Sequence, residues 1–528
     1  MKVGVMELLQ EKPAESWSYR LYHAQFSKQF VSITPQAIAV WCRRAGHQVH
    51  YATYYGQAAD PKSLLPDDLD VVFIGTYTPY CGLAYALAKL YRREKTLTVI
   101  GGPHAKSFPE DCLRYFDLVV KECDRTLVED ILKGRFDPPA VISSGKPLTE
   151  IPSVEERMPD IIRASFSRGK PTRMSIIHLL SSVGCPYTCN FCLDWDNSYV
   201  PLSGDALKED LTFLSKNYPK VFVWFADPNF GVNFDDTLSV FEQIPESRRN
   251  PYMIESSLSV LKESRLNRLR DTNCVYVAPG VESWAAYSNK AGVGKKTGRD
   301  KLQQVIEHFK IMGEYIPGMQ ANFIFGTDAD QGEAPVELTR EFIRSLPEVW
   351  PTVNMPIPIG GTPLYDSYDS EGRILKSMPL PFYFKFSYLT VRMKNYSPVE
   401  YYDGLIALNR ELSSTRMMAR RMATRTPLAS RLVQIARALA VRKDIEDMQR
   451  VRDLLVADAG FRGFFEGRTQ ELPDFFHNLY EKNLGPYAEL IPRNERIPVF
   501  PEPEKVSKKD SPVLLTSLGR VNVDYAPR

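Results

Sequence analysis

Twice along this chain, short β-branched runs alternate with helical patterns, and six prolines between positions 138 and 171 separate the two series. Alternation of that kind commits a chain to parallel sheets covered by helices, because each strand must be returned to the same edge by a crossover. In the first series, residues 1–145, the runs 2–6, 49–53, 70–75, 98–101 and 118–120 read as strands, with helical stretches at 35–45, 82–93 and 109–115. The expected fold is a doubly wound parallel sheet, which binds ligands at the carboxyl ends of its strands.

The second series, residues 173–375, places strands at 174–182, 221–226, 252–257, 275–278, 320–325 and 352–357, separated by helical segments such as 204–214, 262–270, 300–312 and 336–346. Six such units close into a partial (β/α)6 barrel with its chemistry at the carboxyl rim. The stretch 146–172 reads as a linker, 376–497 as a mainly helical C-terminal region and 498–528 as an extended tail. At 528 residues the chain is long enough for three or four domains at ~150 residues each. One connection, 8–33, is long and aromatic (Trp17, Tyr19, Tyr22, Phe26, Phe30), as in a lid or a segment packed on a neighbouring domain.

Composition narrows the partners. Apolar residues are 44% and charged residues 25%, which excludes a disordered chain. The 66 Lys and Arg nearly balance 64 Asp and Glu, so there is no broad basic field and no nucleic-acid partner is expected. No apolar run spans a bilayer and an acid, Glu7, interrupts the first residues, so a cytoplasmic location is expected. Between 410 and 443 the basic residues Arg410, Arg416, Arg420, Arg421, Arg425, Arg431, Arg437, Arg442 and Lys443 meet one acid, Glu411. Such a segment is either a solvated or salt-bridged helical face or a surface for an anionic substrate or peripheral membrane headgroups.

The chemistry is carried by Gly184-Cys185-Pro186-Tyr187-Thr188-Cys189-Asn190-Phe191-Cys192, directly after the first strand of the second series. Three thiolates spaced C-x3-C-x2-C can hold three irons of a four-iron cluster and leave the fourth open, whereas four-cysteine ligation closes such a cluster. An open metal position is a catalytic one. A structural zinc would want a fourth ligand nearby, and the nearest histidine is His178 on the preceding strand. Cys274, at the start of the fourth strand, reads as a small buried apolar residue.

On these residues the chain resembles the radical S-adenosylmethionine (SAM) superfamily. The likeness extends to 222–230 (Phe-Val-Trp-Phe-Ala-Asp-Pro-Asn-Phe), 280–283 (Gly-Val-Glu-Ser), 323–326 (Phe-Ile-Phe-Gly) and 358–365 (Pro-Ile-Gly-Gly-Thr-Pro-Leu-Tyr), and covers roughly 1–400. These segments are similar to those of the branch with an N-terminal cobalamin-binding domain. The resemblance implies a [4Fe–4S] cluster on Cys185, Cys189 and Cys192, S-adenosyl-L-methionine chelated to the open iron, an external one-electron reductant and a 5′-deoxyadenosyl radical. It implies SAM contacts from Asp227 and Asn229 at the methionyl end, although the usual form of that pair is Gly-Gly-Glu. Ser256, Ser257, Glu282 and Ser283 would meet ribose and methionyl groups, and Phe191 with the backbone near Phe325 and Gly326 would flank adenine. The alternative for Asp227 and Glu282 is an acid capping the next helix.

For the first domain the resemblance implies a cobalamin site built from Thr76, Tyr77, Thr78, Gly101, Gly102, Pro103 and Glu122, all at strand ends. Two departures stand out. No histidine is followed three residues later by glycine, so the Asp-x-His-x-x-Gly motif is absent, and Lys121-Glu122-Cys123-Asp124 replaces a Gly-Glu-Gly-Glu-like turn. His104 reads as a packing or hydrogen-bonding residue. The implied function is cobalamin-dependent methyl transfer to an unactivated carbon of a small molecule, with an apolar or lipid-like substrate compatible with the 27 Tyr, the 27 Phe and Met417, Met418 and Met422 in the basic region. The alternatives are a radical cyclase, rearrangement or carbon–carbon coupling enzyme, or a non-catalytic redox or cobalamin sensor, which would need no apparatus for SAM.

Overall fold

The computed structural model describes residues 1–12, 27–172, 174–287 and 290–500. Most of the aromatic connection, with Trp17, Tyr19, Tyr22 and Phe26, lies outside the described residues, as does the tail from 501. The first sheet is wholly parallel, with strands β1 (Lys2–Leu8), β2 (Gln48–Tyr54), β3 (Val71–Thr76), β4 (Leu97–Gly101), β5 (Leu118–Val120) and β6 (Ala140–Ile142) in the order β2-β1-β3-β4-β5-β6. β1 is almost continuously buried, as a strand covered by helices on both faces must be. Its order reverses between β1 and β3, where doubly wound sheets open a crevice. β6 is an addition to the five expected strands; its apolar run, Ala-Val-Ile, is only three residues long and follows two prolines, so it gave little signal.

The second sheet is built from β7 (Ile176–Leu179), β10 (Phe222–Phe225), β11 (Tyr252–Ser257), β12 (Cys274–Glu282), β13 (Gly318–Ile324) and β14 (Val349–Asn354). These six pair in parallel and in sequence, with no pairing between β14 and β7, which is the open partial barrel. A two-stranded antiparallel ladder, β8 (Ser182–Val183) with β9 (Val200–Pro201), sits on its rim. β12 runs beyond the expected 275–278 because Gly280 pairs with Ser257 and Glu282 with Phe323, despite the Pro279–Gly280 step that reads as a breaker.

The expected linker contains a twelve-residue helix, Val154–Ser165, started by a capping box between Ser153 and Glu156. It is a strut rather than a spacer. Buried Arg157 donates to Gln36 Oε1 at 3.0 Å, Asp160 pairs with Arg43, and the Val154 N–H donates to Asp210 at 2.7 Å, so the helix grips both sheets. After β14 the chain becomes helical, and its helices Pro398–Leu412, Leu428–Ala457 and Asp474–Leu484 share one core with a face of the first sheet: Ile74, Tyr85 and Phe108 join Tyr365, Phe382, Tyr402 and Phe476. Among the described residues no helix is long and apolar enough to cross a membrane.

Candidate functional site

The three cysteines stand at the barrel's carboxyl rim on a loop whose two ends are pinned by β8 and β9. Gly184 enters the loop at φ +67°, and a Cβ there would meet Ser198 O at 2.2 Å, so no other residue fits. The Cys185 N–H donates to Asn197 O at 3.0 Å and the Cys192 N–H to Cys189 O at 3.0 Å. From outside, the Leu364 N–H donates to Asn190 O at 2.9 Å and Trp195 Nε1 to Gly361 O at 2.8 Å, so the 358–365 segment buttresses the loop. The thiols are half-buried, and no three His, Cys, Asp or Glu groups among the described residues converge on one ion.

Lys290 is the cation of this rim. Its Nζ lies 3.8 Å from Glu282 and 5.7 Å from the centre of the Phe191 ring. Burial works against the ammonium, but Glu282 and the three thiols hold its pKa above the ordinary value. Burial raises all three thiols, Cys189 to about 11, with Lys290 opposing. Phe191 stacks on Tyr287 with centroids 5.5 Å apart. Glu282 is buried, takes φ +66° and pairs with Lys290; the next helix starts only at Gly298, so Glu282 caps nothing.

Several expected SAM contacts turn inward instead. Asp227 is buried and accepts from the Ser181 N–H at 3.0 Å, Ser181 Oγ at 2.6 Å and Ser182 Oγ at 2.6 Å, which makes it an anchor for the start of the cysteine loop rather than a ligand contact or a cap. Asn229 Oδ1 accepts from the Ser257 N–H at 2.9 Å, and its amide nitrogen is buried without a partner among the described residues. Ser256 Oγ donates to Phe230 O at 2.8 Å, and Ser257 Oγ bonds Ser259 Oγ, which bonds the Tyr187 hydroxyl at 2.7 Å. Ser283 Oγ donates to Asp330 at 2.7 Å, and Asp330 also takes the N–H groups of Gly326 and Thr327. Phe325 stacks on Tyr401 of the C-terminal helices, whose ring would meet a Cβ on Gly326 at 2.4 Å. The Phe325 ring therefore joins the barrel to its C-terminal cover.

A cavity of about 390 Å³ opens between the two sheets. Thr76, Tyr77, Gly101, Gly102, Pro103 and Glu122 line it from the first sheet, and Gly184, Leu193, Asp194 and Asn197 line it from the cysteine loop. Gly102, at φ +95°, lets the β4 end pass the Thr76 backbone, where a Cβ would stand 3.1 Å from Thr76 O. Glu122 pairs with Lys106 at 2.6 Å. Thr78 is the exception. It is buried away from the cavity with its Oγ1 3.3 Å from His104 Nδ1. His104 in turn meets the Tyr85 hydroxyl at 2.7 Å, and burial pushes its imidazole down to about 3, consistent with a packed, neutral, hydrogen-bonding residue.

Residues 179–339 match the family model described as the Radical SAM superfamily. The barrel is a radical SAM domain. Over 323 residues, 58% of this chain and 70% of the relative, it is 26% identical to the bacteriochlorophyllide d C-8(2)-methyltransferase of Chlorobaculum tepidum. The bacteriochlorophyllide d C-12(1)-methyltransferase of the same organism is 23% identical over 324 residues, 58% of this chain and 68% of its own. The fold is that of OxsB, a cobalamin-dependent SAM radical enzyme solved with aqua-cobalamin bound, at a TM-score of 0.55 and 13% identity over 95% of this chain and 82% of that one.

The radical SAM rim also holds residues that the sequence did not single out. Lys290 sits in a turn without a motif, and Tyr187 and Ser259 meet across 72 positions. Asp330 and Lys301, whose Nζ donates to the carbonyl of Ser283, fix the end of β12 from two other elements. None of these has a local signal, because each is selected by a partner distant in the chain.

Proposed function

We propose that this chain is a cobalamin-dependent radical SAM enzyme that methylates an unactivated carbon of a small molecule. The observation that carries the reading is the cavity: one wall is the switch-point edge of the first sheet, the other is the flank of the cysteine loop. A cofactor held by the first sheet is thereby pressed against the barrel rim. The two curated relatives are methyltransferases, which favours methyl transfer over cyclisation or coupling.

When bound, the cluster and SAM supply a 5′-deoxyadenosyl radical, and cobalamin supplies a methyl carrier. The rim fits those groups. Cys185, Cys189 and Cys192 would hold the cluster, the unpartnered amide nitrogen of Asn229 is free to donate to a bound group, and Lys290 offsets thiolate charge that burial disfavours. Phe191, Tyr287 and Glu282 would supply the aromatic and acidic contacts to SAM. Thr76, Tyr77, Gly101, Gly102, Pro103 and Glu122 would line the cobalamin cleft. We place the enzyme in the cytoplasm, where an external one-electron donor is at hand. We also assign a peripheral contact with anionic lipid headgroups to the basic region: on helix Leu428–Ala457 the exposed Leu428, Leu432 and Leu439 recur at helical spacing, flanked by exposed Arg425, Arg442 and Lys443. That face would bring the active site to a lipid-like substrate.

Reconstitution without oxygen in iron, sulfide and hydroxocobalamin, followed by desalting, should leave near-stoichiometric cobalt alongside iron. Turnover should yield S-adenosylhomocysteine and 5′-deoxyadenosine together. Cys189→Ala should lose the cluster and SAM cleavage while retaining cobalt. Iron without cobalt would remove cobalamin from the proposal, and SAM cleavage by Cys189→Ala would remove the cluster assignment.

A further inference from the structure

Glu7 occupies the switch point of the first sheet. It stands one residue before the end of β1, in register with Gly75 of β3, where the strand order reverses, and it lines the cavity shared with the cysteine loop. Its side chain is buried, with 1% of the residue exposed. One carboxyl oxygen accepts the Ser32 N–H at 2.7 Å, and the other, Oε2, has no partner among the described residues.

Among the described residues the surroundings offer no counter-charge. The titratable groups packed on Glu7 are the phenols of Tyr51 on β2 and Tyr77 after β3, and the Tyr77 hydroxyl is 3.1 Å from Ser32 Oγ. The charged residues lining the rest of the cavity are Lys106, Lys121, Glu122 and Asp194; Lys106 and Glu122 pair with each other. A carboxylate buried without a cation is costly, and burial outweighs the Ser32 hydrogen bonds to push Glu7 up to about 8. At neutral pH the group is a carboxylic acid, with an O–H to donate and nothing among the described residues to receive it. Such a group in a cavity wall is satisfied by a ligand acceptor.

We propose that Glu7 is a binding contact for cobalamin, donating its carboxylic O–H to an amide carbonyl on the rim of the corrin. The inference rests on the assignment of cobalamin to this cleft. It adds a residue from β1 to a site otherwise drawn from β3, β4 and β5, and it makes cofactor affinity sensitive to alkaline pH. Above pH 8 the donor is lost and a charge must be covered by the ligand.

The test is equilibrium dialysis in the dark with methylcobalamin, which has no titration of its own near pH 8, using the full chain at pH values well below and well above 8. Wild type should bind more weakly on the alkaline side. Glu7→Gln, which can donate and accept but cannot ionise, should bind with little dependence on pH. Glu7→Leu should weaken binding about tenfold at neutral pH. Circular dichroism melts identify a variant that fails to fold; if Glu7→Leu does, the flattened profile of Glu7→Gln decides. Wild-type binding that ignores pH, together with unchanged affinity in the variants, would overturn the role of Glu7 alone. No uptake by wild type at any pH would overturn the cobalamin assignment and this contact with it.

Discussion

Asp227 holds three donors from two consecutive serines, and its value lies in what it prevents. Replacing it with Ala leaves the Ser181 N–H and two hydroxyls buried without an acceptor, each loss worth about 1–3 kcal/mol when unrelieved. Asp227→Ala is expected to lower unfolding stability by about 2–4 kcal/mol and to reduce iron retained after reconstitution, with Asp227→Asn intermediate. The apparent KM for SAM in the cluster-loaded fraction should stay close to wild type. A large rise in KM with unchanged stability would return Asp227 to the SAM contacts where its position in sequence had put it. The thiols were legible because their spacing is local and Gly184 stands beside them. Asp227 was legible as important and misread in role, since its partners lie 46 and 45 positions away.

At the level of elements, the strands were readable from β-branched runs, and the departures have local causes. Prolines masked the helix Val154–Ser165, although Ser153 and Glu156 spelled its start. β12 was cut short at a Pro-Gly step that pairing on both sides overrides. Helix Leu428–Ala457 was legible as basic, but its exposed leucines could be recognised only once neighbouring helices had claimed the other face. The lipid contact proposed for it predicts cosedimentation with phosphatidylserine-containing vesicles and little with neutral ones, weakening as salt is added. Leu432→Glu with Leu439→Glu should reduce vesicle affinity about tenfold or more without altering the melting profile. Equal binding by wild type and the double variant would remove this face from the proposal.

Over the whole molecule, what sequence could not disclose is the extent to which the parts interpenetrate. Gly360, in the loop after β14, approaches the short helix Pro103–Ser107 after β4 so closely that a Cβ would lie 1.9 Å from Ser107 O. Gly360→Ala should therefore force this loop away from that helix, costing about 1–3 kcal/mol. It should also increase limited proteolysis in the 358–365 segment; an unaltered melt and digestion pattern would mean the contact yields easily. The strap at the C-terminal side acts in the same direction: Arg114 donates to the carbonyls of Glu495 and Ile497, and the Val499 N–H donates to Asp111. Contacts spanning more than 380 positions close a single body around the cavity.

The cysteine loop is in effect a partition wall one segment thick. Gly184, Asp194 and Asn197 look into the cleft of the first sheet, while Cys189 and Cys192 look across to Lys290. Whatever fills the cleft presses on the backbone that positions the thiols on the other side. The distance between a group in the cleft and those thiols is thus set by the covalent geometry of one loop and not by an encounter.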